Sequence, residues 1–155
     1  MTSGFGRSWD FANGLFDRWK FNSVEVAKID GTGIHSLKGL VSSSATDGVG
    51  YETGAGGAVT QITSRTTGVT LNKICGAITL VSAAGTATWQ SFTVTNSTVA
   101  ATDVVKVSQK SGTDLNMIHV TNVAAGSFKI SFATTGGTTT EQPVFNFSVE
   151  KAVAA

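Results

Sequence analysis

The chain has 155 residues, of which 14% are charged, and its formal net charge is +1 at pH 7. A domain of this length buries enough apolar surface to fold without a metal ion or a disulfide, and the single cysteine excludes an intrachain disulfide. Phosphate binding needs concentrated Lys and Arg, so the low content of charged residues and the near-zero net charge argue against nucleic acid as a partner. The sequence contains no run of 18 apolar residues, which argues against a membrane partner.

The first 21 residues form a segment rich in aromatic side chains. Ser8 is a candidate N-cap for an amphipathic helix. The residues that follow helical spacing after it are Trp9, Ala12, Phe16 and Trp19. Gly14 and the aromatic content leave an irregular arm equally open. A segment this short cannot bury its own aromatic groups, so we predict that it lies against another surface. The candidate partner-binding residues are Phe5, Trp9, Phe11, Phe16, Trp19 and Phe21.

A hairpin is predicted over residues 22–41, because the apolar runs 24–29 and 34–40 flank Asp-Gly-Thr-Gly at 30–33. The arm and hairpin together make up a first segment, residues 1–41. Residues 42–57 contain five glycines among small polar residues, which predicts a linker. The remainder, residues 58–155, is predicted to be a β domain.

The β domain is predicted from short runs rich in Val, Ile and Thr with turn residues between them. Alternation is clearest near Phe128–Phe132 and Phe145–Val149, where every second residue is apolar. The fold class is therefore all-β, an antiparallel β-sandwich or jelly-roll-like domain with an aromatic-rich N-terminal arm and hairpin. The predicted strands are 59–63, 69–71, 74–81, 89–95, 104–109, 117–123, 128–133 and 144–150.

Residue types that perform catalysis are few and scattered in this sequence. His119 alternates with apolar neighbours and is predicted to face solvent or an interface. Cys75 lies in an apolar run, which predicts a buried thiol rather than a nucleophile. No catalytic residue, no cofactor-binding residue and no metal ligand is assigned, and we predict that the protein is not an enzyme. The β-domain carboxylates occupy strand ends or loops: Asp103, Asp114, Glu141 and Glu150.

Trp89 begins an alternating strand but is out of register with Phe92 and Val94 if those two residues face the core. This position predicts a tryptophan at the rim of the core, with placement at an edge or interface as the alternative. The phenylalanines of the β domain fit core positions.

Two long stretches resemble a recurring β module in virion structural proteins of tailed bacteriophages. They are GAVTQITSRTTGVTLNKICGAIT at 57–79 and FTVTNSTVAATDVV at 92–105. The resemblance covers about residues 57–151 and implies a capsid-decorating (cement) protein or a fibre-like appendage, typically a homotrimer. It implies the major capsid protein as partner and a location on the capsid surface of the virion, reached from the host cytoplasm during assembly. No catalytic residues carry over from it.

Two functions follow from this resemblance. The first is a structural virion protein that bridges capsid subunits and stabilises the shell. The second is a head- or tail-fibre-type appendage module that binds a host surface glycan or receptor. Receptor-binding modules usually carry aromatic or charged loops, whereas the loops here, such as 83–86, 100–102 and 134–140, consist mainly of small residues. That composition favours the structural function.

Overall fold

The computed structural model describes residues 5–10, 15–21, 24–30, 33–36, 45–46 and 49–152. The chain divides into two compact units, Met1–Gly50 and Tyr51–Ala155. Of the candidate partner-binding residues, Phe11 lies outside the described residues.

The described part of the first unit is a four-stranded antiparallel sheet. Its strands follow one another in chain order: β1 (Phe5–Asp10), β2 (Leu15–Phe21), β3 (Val24–Asp30) and β4 (Gly33–Ser36). The hairpin predicted over residues 22–41 corresponds to β3 and β4, in which Asp30 pairs with Gly33. The predicted end of its second strand, residues 37–40, lies outside the described residues.

Neither the helix nor the irregular arm predicted for residues 1–21 is correct, because the described residues of this segment form β1 and β2. In these strands Phe5 pairs with Phe21, and Arg7 pairs with Trp19. Aromatic residues favour strands, and cross-strand aromatic pairs stabilise a sheet. The helix-like spacing of the tryptophans is therefore coincidental, and strand propensity with pairing decides the conformation.

The second unit is built from two four-stranded sheets and a short two-stranded ribbon. One sheet has the order β10-β14-β7-β5, the other has the order β11-β12-β9-β6, and β13 pairs with β8. The strands are β5 (Gly56–Thr60), β6 (Val69–Thr70), β7 (Cys75–Thr79), β8 (Ala83–Ala84), β9 (Gln90–Thr95), β10 (Val104–Ser111), β11 (Asn116–Ala124), β12 (Ser127–Thr134), β13 (Thr140–Glu141) and β14 (Val144–Glu150).

The all-β prediction is confirmed, and each of the eight predicted strands overlaps a strand of the structure. Most pairs are antiparallel, but β5 pairs with β7 and β6 pairs with β9 in parallel. The ribbon of β8 and β13 was not predicted, because two-residue strands show no alternation. The strand β5 begins within the segment predicted as a linker, and the Tyr51 hydroxyl donates to the Val149 carbonyl at 2.6 Å.

The core of the second unit lies between its two sheets. Phe128 and Phe147, from different sheets, have ring centroids 5.2 Å apart, and those of Phe132 and Phe145 are 5.3 Å apart. All phenylalanines of this unit are buried, as predicted. Offset and edge-to-face pairs of this kind contribute about 0.5–1.5 kcal/mol beyond area burial. These ring contacts hold the two sheets together around a shared core.

Candidate functional site

The outer face of the sheet formed by β11, β12, β9 and β6 carries a row of polar side chains. Alternation turns Phe92 and Ile130 towards the core, so that their neighbours point outward. Ser131 on β12 pairs with Ser91 on β9 and with His119 on β11. His119 is exposed, which confirms its predicted orientation.

Trp89 lies on this outer face, so its predicted place at the rim of the core is wrong. It is 51% exposed, and its ring centroid is 5.5 Å from that of His119 at an interplanar angle of 43°. Trp89 precedes the outward-facing Ser91 by two positions and therefore shares its face. Phe92 faces the core, and Trp89 lies three positions before it. Strand alternation therefore turns Trp89 to the opposite, outer face.

A β-bulge adds a second polar group beside the aromatic pair. Val120 pairs with Ile130, and the next paired position is Asn122 with Lys129, so Thr121 is an extra residue on β11. The Thr121 Oγ1 atom lies 2.9 Å from the Ser131 Oγ atom. Bulges commonly re-aim a side chain at a binding surface. Thr121 is two positions after His119, and its hydroxyl lies on the face that His119 occupies.

These side chains line a shallow depression with a volume of about 310 Å³. We refer to the lining residues, Trp89, His119, Thr121 and Ser131, as the Trp89 face. Met117, two residues before His119, is also 41% exposed. Aromatic and hydroxyl groups thus occur together in one concave surface on a rigid sheet, the arrangement found in small-molecule binding sites.

A buried arginine lies among the strand ends of the same unit. Arg65 is 4% exposed, and its guanidinium donates to the carbonyls of Val81 at 3.0 Å and Glu141 at 2.7 Å. It also donates to the carbonyl of Ala83. Burial lowers the pKa of Arg65, and the neighbouring Glu141 and Asp114 carboxylates oppose that shift. Since its donors are directed at main-chain carbonyls, Arg65 joins the segments that carry those carbonyls.

Two carboxylates beside it are likewise engaged by the backbone. Glu141 accepts hydrogen bonds from the amides of Thr113 and Asp114, and these bonds lower its pKa. The Asp114 carboxylate accepts the Thr139 amide at 2.8 Å. These acids, predicted to lie at strand ends or loops, hold the loops there through backbone amides.

Asp103 anchors the two described residues that follow β14, Lys151 and Ala152. Its carboxylate accepts the Ala100 amide at 2.8 Å and forms an ion pair with Lys151. The Ala100 amide is the main cause of its lowered pKa, and Lys151 adds to the shift. This contact fixes the segment after β14 to the turn before β10.

The structure also locates Cys75 and the candidate partner-binding residues of the first unit. Cys75 is a free, half-buried thiol, less buried than predicted. Among the described residues, no group of three or more His, Cys, Asp or Glu could hold a metal ion. The described candidate partner-binding residues lie on two neighbouring strands of the first unit: Phe5 and Trp9 on β1, and Phe16, Trp19 and Phe21 on β2.

Comparisons with known proteins return no relative. No protein-family model matches the chain, and no curated protein or solved structure is detectably similar to it. Within the described part of the chain, no helix is long and apolar enough to cross a membrane.

Proposed function

We propose that this chain is a non-enzymatic structural protein of a phage virion, which decorates the capsid and stabilises it by bridging capsid subunits. One basis is the resemblance of residues 57–151 to the β module of virion proteins. The observation that carries the proposal is the aromatic-rich sheet of the first unit, in which Phe5 pairs with Phe21 across β1 and β2.

A sheet needs a second layer to cover its apolar face. The described strands of the first unit make up one sheet, and the other described residues of this unit add no second layer of strands or helices to it. Burial of a Phe or Trp side chain contributes about 1.5–3 kcal/mol, and binding energy in interfaces concentrates on such anchors. Contact with the major capsid protein supplies the missing layer in our proposal.

The second unit has a different part in this proposal. Its sandwich is rigid, and the loops at its ends, such as 100–102, consist of small residues that make weak anchors. It is carried by the first unit as a compact body on the capsid surface. We further propose a homotrimer. The resemblance implies three chains, and obligate interfaces remove low-charge surface from water. Neither nucleic acid nor a membrane is a proposed partner.

The test uses empty shells of the major capsid protein that lack this chain. Purified protein is added at increasing concentration, and its occupancy is measured by cosedimentation and by imaging of the shells. We expect saturable occupancy at fixed lattice positions and a higher melting temperature of the decorated shell, since a ligand that binds only the assembled state stabilises it. Light scattering on the free protein should report three chains. An absence of binding at saturating protein would contradict the proposal.

The competing function is a head- or tail-fibre-type appendage that binds a host glycan or receptor. The Trp89 face favours it, because an aromatic pair beside two hydroxyls is placed on a rigid outer sheet. The two functions are separated by Trp89→Ala. A loss of binding to host cells with full occupancy on shells supports the appendage, whereas full retention of both activities removes this support.

A further inference from the structure

The Trp89 face combines a flat aromatic surface with hydrogen-bonding groups in a way that the decoration function does not require. An exposed tryptophan leaves a large apolar area in water, and Trp89 is half exposed beside His119. A partner that covers the indole removes that area from water. The ligand must therefore present a flat apolar surface of its own.

The second constraint on the ligand comes from the hydroxyls. Thr121 and Ser131 each offer one donor and two acceptor positions, of which their mutual hydrogen bond uses only a part. Covering them with an aliphatic group would bury unused polar capacity at a cost. The ligand must therefore carry polar groups at the edge of its apolar surface.

The third constraint is charge. This face is carried by three strands, β9, β11 and β12. Their only charged residue other than histidine is Lys129; they contain no Arg, Asp or Glu. Nucleobases also stack on aromatic rings, but nucleic-acid sites add several cationic groups along the backbone path. A neutral or weakly charged ligand fits this face better than a polyanion.

From these constraints we propose that the Trp89 face is a carbohydrate-binding subsite. A pyranose ring has an apolar face of C–H groups, which would lie against the indole of Trp89, and equatorial hydroxyls at its edge. Those hydroxyls exchange hydrogen bonds with the side chains of Thr121, Ser131 and His119. The depression of about 310 Å³ is at the lower limit of small-molecule sites, as expected for one sugar ring of a longer glycan.

This site is independent of capsid decoration, since it uses the outer sheet of the second unit rather than the aromatic sheet of the first. It rests on the competing appendage function and deepens it by placing a glycan ligand at the Trp89 face and naming the side chains that contact one sugar ring. Its test contains no shells, so a failure of sugar binding leaves the decoration assay unaffected.

The experiment is saturation-transfer NMR on the full-length protein with the methyl pyranosides of glucose, galactose, mannose and N-acetylglucosamine as probes. We expect at least one of them to receive saturation at its ring protons. Trp89→Ala should weaken that binding roughly five- to a hundredfold, by analogy with the loss of ring stacking elsewhere. Trp89→Phe should retain part of the affinity, and Thr121→Val should weaken binding with the indole intact.

Ile62→Ala is the matched control, because Ile62 is an apolar side chain 91% exposed elsewhere on this unit. It should leave sugar binding unchanged, and all variants should keep the melting temperature of the parent. The proposal is overturned if none of the four pyranosides binds at the limit of its solubility. It is equally overturned if binding survives Trp89→Ala undiminished, or if Ile62→Ala and Trp89→Ala weaken it to the same extent.

Discussion

The guanidinium of Arg65 donates a 2.7 Å hydrogen bond to the main-chain carbonyl of Glu141, which lies 76 residues further along the chain. Arg65 belongs to the connection between β5 and β6, whereas Glu141 ends the two-residue strand β13. The same guanidinium reaches the carbonyls of Val81 and Ala83. One buried side chain thus joins three segments of the second unit.

Replacement of Arg65 by alanine should destabilise the protein strongly. The change leaves several partly buried carbonyls without a donor. An unpaired buried acceptor costs about 1–3 kcal/mol, so we expect a loss of about 3 kcal/mol in the free energy of unfolding. Arg65→Lys should recover little, because an ammonium lacks the planar fork of donors. Urea denaturation measures the effect. Lys110→Ala is the control, because Lys110 is exposed. If Arg65→Ala lowered the free energy of unfolding as little as Lys110→Ala does, the structural role of Arg65 would be contradicted.

The glycine at position 85 is predicted to be irreplaceable for steric reasons. A Cβ atom there would lie 2.5 Å from the Gly137 carbonyl oxygen and 2.8 Å from Thr134 Cγ2, besides clashing with the Asp114 carboxylate. Gly85→Ala should therefore cost on the order of 2 kcal/mol through overpacking. Gly50→Ala is the matched control, since no atom lies within 4 Å of its added Cβ. Thermal melts that fall equally for both variants would refute the steric explanation.

Acid should destabilise the protein through Asp103 and Glu141. The pKa of each carboxyl is lowered in the folded state, chiefly by backbone amides. Their contribution to stability is therefore complete above the ordinary carboxyl pKa of about 4 and is lost as the pH falls below it. Urea midpoints should be level between about pH 7 and pH 5 and decline below that range.

The share of Asp103 in this decline is tested with Asp103→Asn. That variant should be less stable at neutral pH, because the ion pair with Lys151 is lost. Its stability should also fall less steeply in acid than that of the parent. A decline as steep as the parent's would show that Asp103 is not one of the titrating groups.

The second unit should fold by itself when its first residue is Tyr51. A fragment of residues 51–155 retains the hydrogen bond from Tyr51 to Val149 and the complete strand β5. We expect a β-type circular dichroism spectrum and a cooperative melt. The fragment 58–155 lacks Gly56 and Gly57, which pair with Cys75 and Gly76, and should melt at a lower temperature. A disordered spectrum for the fragment 51–155 would contradict the division of the chain into two units at residues 50 and 51.

The sequence predicted the β fold well where one face of a strand is buried. The alternation of Phe145, Phe147 and Val149 defines β14, and the structure gives it the predicted bounds. The N-terminal segment combines a helix-like spacing with aromatic residues that favour strands, and the spacing alone does not decide between the two conformations. Pairing between β1 and β2 is a non-local property, which a spacing pattern does not contain.

The candidate site was harder to predict for the same reason. The parity of Trp89 with Ser91 was readable from the sequence and would have placed the indole outward. The bulge at Thr121 was not, because it depends on how β11 pairs with β12. Arg65 gave no signal either, since its partners are main-chain carbonyls from distant segments.

The proposal that the aromatic sheet of the first unit anchors the protein to the capsid is tested most directly by one triple variant. Trp9, Phe16 and Trp19 are replaced by alanine, and occupancy on shells is measured together with the melting temperature of the free protein. Trp89→Ala is the matched control, because it removes an exposed tryptophan from the second unit. We predict that the triple variant loses occupancy with an unchanged melt, while the control keeps both. Unchanged occupancy, or a collapsed melt of the free triple variant, would contradict the account.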